Sequence, residues 1–174
     1  SIAPFDALAI YLVDDGILRH YFGVSFKSRA DWQDMAIGEG LVGHAAADGK
    51  PTLARDTSKD DRYVELVPGI RSETAVPLIL KDSVIGILDL ESDTVGAFDE
   101  ELVQVLTLLA PQIASAIENA RLYEQVERNQ ERLRKDLEAA RQLQQSLLPH
   151  CCPTFGGVEI AARNVPATEV SGDF

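Results

Sequence analysis

The first segment whose residue types could indicate chemistry is rich in glycine. Gly38, Gly40 and Gly43 have the spacing G-x-G-x-x-G and stand just before a predicted helix. Such a segment can hold a dinucleotide pyrophosphate at a helix N-terminus, but it then follows a parallel strand in a β-α-β unit. Residues 31–35 make a poor strand, and the neighbouring strands are predicted to pair as hairpins. The sequence therefore does not predict a dinucleotide site here.

The second such segment combines a histidine with the only two cysteines, as His150, Cys151 and Cys152. These side chains could bind a metal ion or respond to oxidants. Zinc usually takes four tetrahedral ligands, however, which adjacent cysteines and one histidine do not supply. Adjacent cysteines also cannot cross-link distant parts of a fold, so they predict a reduced, cytoplasmic protein.

The overall composition is that of a folded globular protein, with 45% hydrophobic and 25% charged residues in a chain of 174. Asp and Glu number 28 against 16 Lys and Arg, a net charge of −12. Because each phosphate contact needs a cation, nucleic acid is not an expected partner. No run approaches the roughly 18 to 20 apolar residues of a membrane span, so no membrane partner is expected. We expect the chain to be part of a longer protein, since it lacks an initial Met and ends within a predicted strand.

Short strands are predicted in the first 117 residues. Residues 7–13 and 17–24 form one predicted hairpin around an Asp-Gly turn, and residues 74–80 and 84–90 form another. Pro77 lacks an amide donor, which suits a sheet edge or a bulge. A short helix, a short strand and a mainly irregular loop are predicted at residues 41–47, 51–54 and 55–71.

A long helix is predicted to begin near Asp99 and to meet no breaker before Pro149. Pro111 should bend this helix without ending it. About 50 helical residues would extend roughly 75 Å, more than one small domain can cover. The apolar stripe at helical spacing consists of Leu102, Val105, Leu106, Leu109 and Ile113.

The later part of this helix has the 3,4 spacing of a coiled coil. Residues 118–148 carry six charges of each sign, whereas residues 1–117 carry nine basic and 19 acidic residues. We therefore predict a parallel dimer, the alternative being a single helix packed on its own domain. Gln130 and Gln144 would weaken the seam but could fix its register. The seam positions are Tyr123, Gln130, Leu137 and Gln144, with Val126, Leu133, Ala140 and Leu147 between them.

Four stretches, taken in order, resemble a GAF domain. They are residues 37–46 with 49–51, residues 56–63, residues 71–78 with 84–88, and residues 98–101 leading into the helix at 110–123. The resemblance covers residues 5–123 and implies an α+β fold with a central six-stranded antiparallel sheet flanked by helices. The long C-terminal helix and a short β-type tail would extend it. The family's usual opening helix is missing.

GAF domains are sensory modules that enclose small molecules between the sheet and the loops over one face. The resemblance therefore implies an unidentified small-molecule ligand, walled by residues 55–73 and by inward residues of later strands. Each candidate could instead have a structural role, and Asp56 and Arg62 could cap a loop or pair with each other. The candidate ligand-binding residues are Asp56, Arg62, Tyr63, Arg71, Ser72 and Glu91.

Three ligands of related domains are not expected. A covalent bilin needs a cysteine, and residues 1–150 contain none. Cyclic-nucleotide GAF domains carry an Asn-Lys signature where this strand ends in Glu91 and Ser92. Haem needs a buried axial ligand, and His20 and His44 are more typical of core histidines.

The tail resembles the entry into bacterial PPM-type serine/threonine phosphatases of the sporulation stage II E class. The resemblance lies in residues 139–149, residues 157–162 and residues 166–174. It implies that Asp173 binds a catalytic Mn²⁺ or Mg²⁺, since such ions prefer carboxylate oxygens and a pair of them can activate the nucleophile. One carboxylate cannot hold two metals, so we expect this fragment to be inactive.

The prediction is thus a sensory domain at 1–117, a coiled-coil signalling helix at 118–149 and a truncated phosphatase start at 150–174. The protein would be a cytoplasmic homodimer through helix 118–148 that regulates dephosphorylation of a phosphoprotein in partner-switching signalling. One alternative is a ligand-free dimerisation module. Another is a sensor with a different output such as a kinase, although residues 118–148 contain no phosphoacceptor histidine.

Overall fold

The computed structural model describes residues 5–27, 30–147 and 156–157. The chain divides into two compact units, Ser1–Glu118 and Asn119–Phe174, each described by itself. No helix in the described ranges is long and apolar enough to cross a membrane. The predicted β-type tail and the His150, Cys151 and Cys152 segment lie outside these ranges.

The first unit is built on a six-stranded antiparallel sheet, which confirms the predicted α+β fold. The strands lie in the order β3-β2-β1-β6-β5-β4, so β1 and β6 are central. The strands are β1 (Ala7–Asp14), β2 (Ile17–Ser25), β3 (Met35–Ala36), β4 (Thr52–Ala54), β5 (Ser72–Leu80) and β6 (Ser83–Ser92). The helices are α1 (Gly40–Asp48) and α2 (Glu100–Leu147). The sequence did not predict the two-residue strand β3.

Both predicted hairpins are confirmed, and each closes through two residues with positive φ. Asp15 and Gly16 have φ of 48° and 77°, and Lys81 and Asp82 have φ of 51° and 63°. Positive φ at both positions matches the right-handed twist of the flanking strands. Pro77 lies in the part of β5 that the short strand β4 does not reach, next to an irregularity between Leu78 and Ile79. Pro77 therefore lies both at an unpaired edge of β5 and beside a bulge, the two placements that a missing amide donor favours.

The helix α2 begins where the sequence predicts. Asp99 Oδ1 accepts a hydrogen bond from Leu102 N at 2.9 Å, a typical cap of a first helical turn. The helix continues through Pro111 without a break.

The predicted apolar stripe of α2 is partly wrong. Val105 and Leu109 are exposed, at 47% and 50%. The face that packs on the sheet includes two alanines that are fully buried, because their small side chains let the helix approach the strands closely. That face consists of Leu102, Leu106, Ala110, Ile113, Ala114 and Ile117, packed against Val76, Leu78, Leu88 and Leu90.

The other face of the sheet carries a second core. Ala9, Tyr11, Ala75 and Ile87 point to this side and pack with α1 and with Leu66 of the 55–71 segment. Because side chains alternate along a strand, β5 and β6 present one set of residues to α2 and the intervening set to this covered face. The covered face holds the candidate site.

Candidate functional site

Three acidic side chains lie on the covered face of β5 and β6. Glu73 of β5 is directly opposite Glu91 of β6, and Asp89 is two residues before Glu91 on the same face. All three are almost fully buried, at 3%, 2% and 3% exposure. Acidic residues are rarely buried without a partner because desolvation penalises the charge. We call Glu73, Asp89 and Glu91 the acid cluster.

Burial raises the pKa values of all three carboxyls, and mutual repulsion adds to the rise at Glu73 and Asp89. Desolvation and then the charge of Glu91 raise the pKa of Glu73, while nearby Arg62 opposes that rise. Desolvation and the charges of Glu73 and Glu91 raise the pKa of Asp89, and the Asp89 and Glu73 side chains are hydrogen-bonded to each other. Burial raises the pKa of Glu91 to about 7. A cation bound at the acid cluster would favour the ionised carboxylates and so release protons from them.

Two tyrosine hydroxyls are buried beside the acid cluster. Burial and the negative charges of Asp89, Glu91 and Glu73 raise the pKa values of Tyr11 and Tyr63. Both hydroxyl oxygens and Asp89 Oδ1 have no hydrogen-bond partner within the described ranges. An unpaired buried polar atom costs free energy, so several at one place suggest a ligand or water that satisfies them.

Aromatic rings form another wall next to Tyr11. The His20 ring stacks on Trp32 with centroids 5.2 Å apart and meets Tyr11 edge-on at 5.7 Å. A Cβ atom on Gly23 would lie only 2.6 Å from the Trp32 ring, so glycine is required there. His20 thus packs against the rings of Trp32 and Tyr11, and His44 Nδ1 is 2.7 Å from Gly40 O of its own helix.

The structure brings two of the six predicted ligand-binding residues, Tyr63 and Glu91, to the acid cluster. Asp56 instead accepts hydrogen bonds from Ser58 and pairs with Lys59 at 3.0 Å. Arg62 makes a two-pronged contact with Asp60, at 2.9 and 2.7 Å, so it does not pair with Asp56. The positive charge of Arg62 still lowers the pKa of Glu73, against the larger effect of burial.

The two other predicted residues, Ser72 and Arg71, contact residues outside the acid cluster. Ser72 Oγ donates to Thr94 O at 2.8 Å, and half-exposed Arg71 approaches Asp56 at 3.8 Å. Asp173 lies outside the described residues.

Substitution of Asp56 tests whether this candidate has a structural role rather than a ligand-binding one. We expect Asp56→Ala to lower Tm by roughly 2–5 °C, because the turn at Thr57–Lys59 loses its cap, while ligand affinity stays unchanged. Thermal unfolding and calorimetric titration of the same protein samples measure both effects. A loss of affinity larger than the loss of stability explains would place Asp56 in the binding site.

Sequence reasoning missed Glu73 and Asp89. The available signal was the alternation of Leu88, Asp89, Leu90 and Glu91. This alternation places the side chains of Asp89 and Glu91 on one face of β6. That pattern is usual for a solvent-exposed face. Here α1 and residues 55–71, which we call the covering segment, bury this face.

The glycine-rich segment does not form a dinucleotide site. The strand before α1 is β3, which pairs antiparallel with β2. Gly38 N donates to Gly43 O at 2.9 Å, and a Cβ atom on Gly43 would meet Ala36 O at 2.5 Å. These glycines therefore allow tight packing of the turn into α1.

The acid cluster is better suited to an organic cation than to a metal ion. Among the described residues, no group of three His, Cys, Asp or Glu side chains is arranged to hold a metal. A protonated amine has up to three N–H donors, which carboxylates and tyrosine oxygens can accept. Tyrosine and tryptophan faces also attract cations.

Known proteins resemble part of this chain. The free methionine-R-sulfoxide reductase of Escherichia coli is 28% identical over 107 residues, covering 62% of this chain and 63% of that protein. The chain thus spans less than two thirds of that relative. A Neisseria meningitidis free methionine-R-sulfoxide reductase, solved in complex with its substrate, is 26% identical with a TM-score of 0.63, covering 68% of this chain and 71% of that one.

A GAF domain of a different protein shares the fold as well. The GAF domain of an Acinetobacter phosphoenolpyruvate-protein phosphotransferase superposes with a TM-score of 0.59 at 21% identity, covering 70% of this chain and 75% of that one. The model of the GAF domain family matches residues 2–118, which include every strand of the sheet and the whole acid cluster. The chain therefore belongs to the GAF domain family.

Proposed function

We propose that this GAF domain is a sensor that binds a small organic molecule carrying a protonated amine. The ammonium group would lie against the acid cluster, with Tyr11 and Tyr63 completing its polar surroundings. The observation that carries the proposal is the burial of three carboxyl groups on one face of two paired strands. A ligand cation would offset the desolvation and repulsion that these groups otherwise retain.

The relatives support an amine-bearing ligand, whereas the residues of this domain do not support a reductase activity. Free methionine sulfoxide is an amino acid, so it carries an ammonium group of the required kind. Reducing a sulfoxide takes two electrons, for which a cysteine thiol is the usual side-chain donor, and residues 1–150 contain no cysteine. We therefore propose binding without reduction in this domain.

Calorimetric titration at pH 8 tests the proposal. L-methionine-R-sulfoxide and small primary amines are the probes, and N-acetyl-methionine sulfoxide, which lacks the ammonium, is the matched control. We expect binding by at least one amine-bearing probe, no binding by the acetylated control, and no methionine product by chromatography. Equal binding of the amine and its acetylated form would refute the role of the acid cluster.

Binding should strengthen as pH rises. Because burial raises the pKa values of the acid cluster, a cation that binds the ionised carboxylates displaces protons, and the pKa of Glu91, about 7, lies close to this pH range. We expect affinity to increase up to about tenfold per displaced proton between pH 6 and pH 7 and to level off as that group ionises. Titrations in two buffers of different ionisation enthalpy would measure the protons released. Affinity independent of pH would contradict this expectation.

The strands of the site offer a route for a signal. Asp89 and Glu91 alternate with Leu88 and Leu90, whose side chains pack on the other face against α2. A ligand that shifts β6 therefore acts one residue away from a helix contact. The response requires different ligand affinity in two states of the domain.

For the output we propose a PPM-type protein phosphatase, on the resemblance of residues 139–174. Asp173 would bind Mn²⁺ or Mg²⁺, the substrate would be a phosphoprotein, and the helix at 118–148 would join two copies in the cytoplasm. The test uses the full-length protein with Mn²⁺ and a phosphoserine peptide, with and without an amine-bearing ligand. Phosphate release that disappears in Asp173→Asn supports the assignment, and undiminished release in that variant contradicts it.

A further inference from the structure

Two ring nitrogens are buried on the covered face beside β2. Trp32 Nε1 and His20 Nε2 form no hydrogen bond with any residue in the described part of the chain. The indole N–H of tryptophan can only donate a hydrogen bond, so the partner that it lacks is an acceptor. A buried donor without a partner is costly, and such a group calls for a ligand or water that satisfies it.

These nitrogens lie at one end of a row of residues that has the acid cluster at its other end. Asp89 of β6 is directly opposite Ala9 of β1, and Ala9 is directly opposite Gly23 of β2. A Cβ atom on Gly23 would lie 2.7 Å from Trp32 Cζ3 and 2.8 Å from His20 Nε2, so both rings stand over the β2 end of the row. Neighbouring strands are about 4.8 Å apart, which puts the two ends roughly 10 Å from each other.

The strand between these two ends contributes small side chains. Ala7 and Ala9 are the β1 residues directly opposite the two acids of β6. Trp32 and Tyr63 both pack on the cluster that contains Ala7, so the indole ring and the acid cluster border the same part of the covered face. Because alanine projects a single methyl group, β1 does not separate the acid cluster from the ring nitrogens.

We propose that the ligand carries, besides its ammonium group, an acceptor oxygen that binds Trp32 Nε1, and that Trp32 thereby selects for this oxygen. The inference rests on the proposed function, since the acid cluster must hold the ammonium group. The ligand is then a short bifunctional amine whose two polar groups lie within about 10 Å of each other. His20 Nε2 can donate to the same oxygen or accept from an adjacent N–H group, depending on its tautomer.

A matched pair of amines tests the proposal in the wild-type chain. The amide of 5-aminopentanoic acid and 5-methylhexylamine have the same ammonium group, spacer and approximate shape, but only the amide has an acceptor oxygen. We expect the amide to bind at least about tenfold more tightly in calorimetric titrations at pH 8. A site with buried polar groups disfavours an analogue that leaves them unpaired.

The Trp32→Phe variant separates recognition of the oxygen from packing, because phenylalanine keeps an aromatic ring but lacks the N–H group. We expect the preference for the amide over the alkylamine to fall at least about tenfold, while affinity for the alkylamine changes little. A purely structural role of Trp32 would weaken both amines alike. Tyr21→Phe is the matched control, since Tyr21 is a 58% exposed aromatic residue of β2, and it should leave both affinities unchanged.

Nuclear magnetic resonance adds a readout that needs no variant. Trp32 is the only tryptophan of the chain, so an ¹⁵N-labelled sample gives a single indole N–H resonance. We expect the amide to move this proton resonance downfield and to slow its exchange with solvent, and the alkylamine to do neither.

The outcomes distinguish this inference from the proposed function. Equal affinity for the two amines, or an amide complex whose indole proton stays at its free position, would overturn the inference and leave the proposed function standing. Failure of every amine-bearing probe to bind would overturn both.

Discussion

Replacing Asp89 with asparagine is expected to weaken binding of an amine-bearing ligand by at least about 100-fold. Asp89 is the most deeply buried member of the acid cluster, and its Oδ1 atom has no hydrogen-bond partner in the described structure. Removing one partner of a buried, hydrogen-bonded charge pair costs about 2–5 kcal/mol of binding free energy. Calorimetric titration at pH 8 of wild type and Asp89→Asn measures the loss.

The same substitution should leave the empty domain folded. Asparagine has the shape of a protonated aspartic acid, and burial together with the charges of Glu73 and Glu91 raises the pKa of Asp89, which favours that neutral form in the empty site. Asp61→Asn, which removes an exposed carboxylate from the covering segment, is the matched control and should bind normally. Affinity of Asp89→Asn within threefold of wild type would show that the ligand does not use the acid cluster.

Glu91→Gln should make the empty domain more stable at pH 8 by about 2–3 kcal/mol. Burial raises the pKa of Glu91 from 4.5 to about 7 in the folded state, so the folded protein binds more protons than the unfolded chain between those values. Stability therefore falls as pH rises from about 4.5 to 7, at up to 1.36 kcal/mol per unit for this group. Glutamine removes the ionisation and with it this part of the loss.

Urea denaturation at pH 5 and pH 8 measures this effect. We expect the variant and wild type to differ less at pH 5, where Glu91 is mostly protonated when folded, than at pH 8. Glu65→Gln, on an exposed carboxylate of the covering segment, should show no such pH-dependent gain. An identical pH dependence in wild type and Glu91→Gln would mean that folding does not raise the pKa of Glu91.

The two experiments separate function from folding. A site whose buried carboxyls have raised pKa values loses stability as rising pH ionises them, and a ligand that binds the ionised form restores that stability. We expect Asp89→Asn to lose affinity and Glu91→Gln to gain stability in the same protein. This opposition is typical of residues retained for binding.

The sequence by itself determined the local elements and the family. Asp15 and Gly16 tolerate positive φ, which predicts the first hairpin, and Asp99 caps a helix that no residue interrupts before Pro149. These features depend on neighbours in the chain, so sequence patterns report them directly. The structure places Tyr63 and Glu91, which the resemblance to GAF domains made ligand-binding candidates, at the acid cluster.

Only the tertiary structure decided which faces are covered. Strand alternation places Asp89 and Glu91 on one side of β6, yet it cannot say whether that side meets water or the residues of the 55–71 segment. Helical spacing likewise groups Val105 and Leu109 with inward residues. In the structure, however, the side of α2 that packs on the sheet is the one with Ala110 and Ala114. In both cases the deciding contacts join residues far apart in sequence, because burial is a property of packed elements rather than of a local pattern.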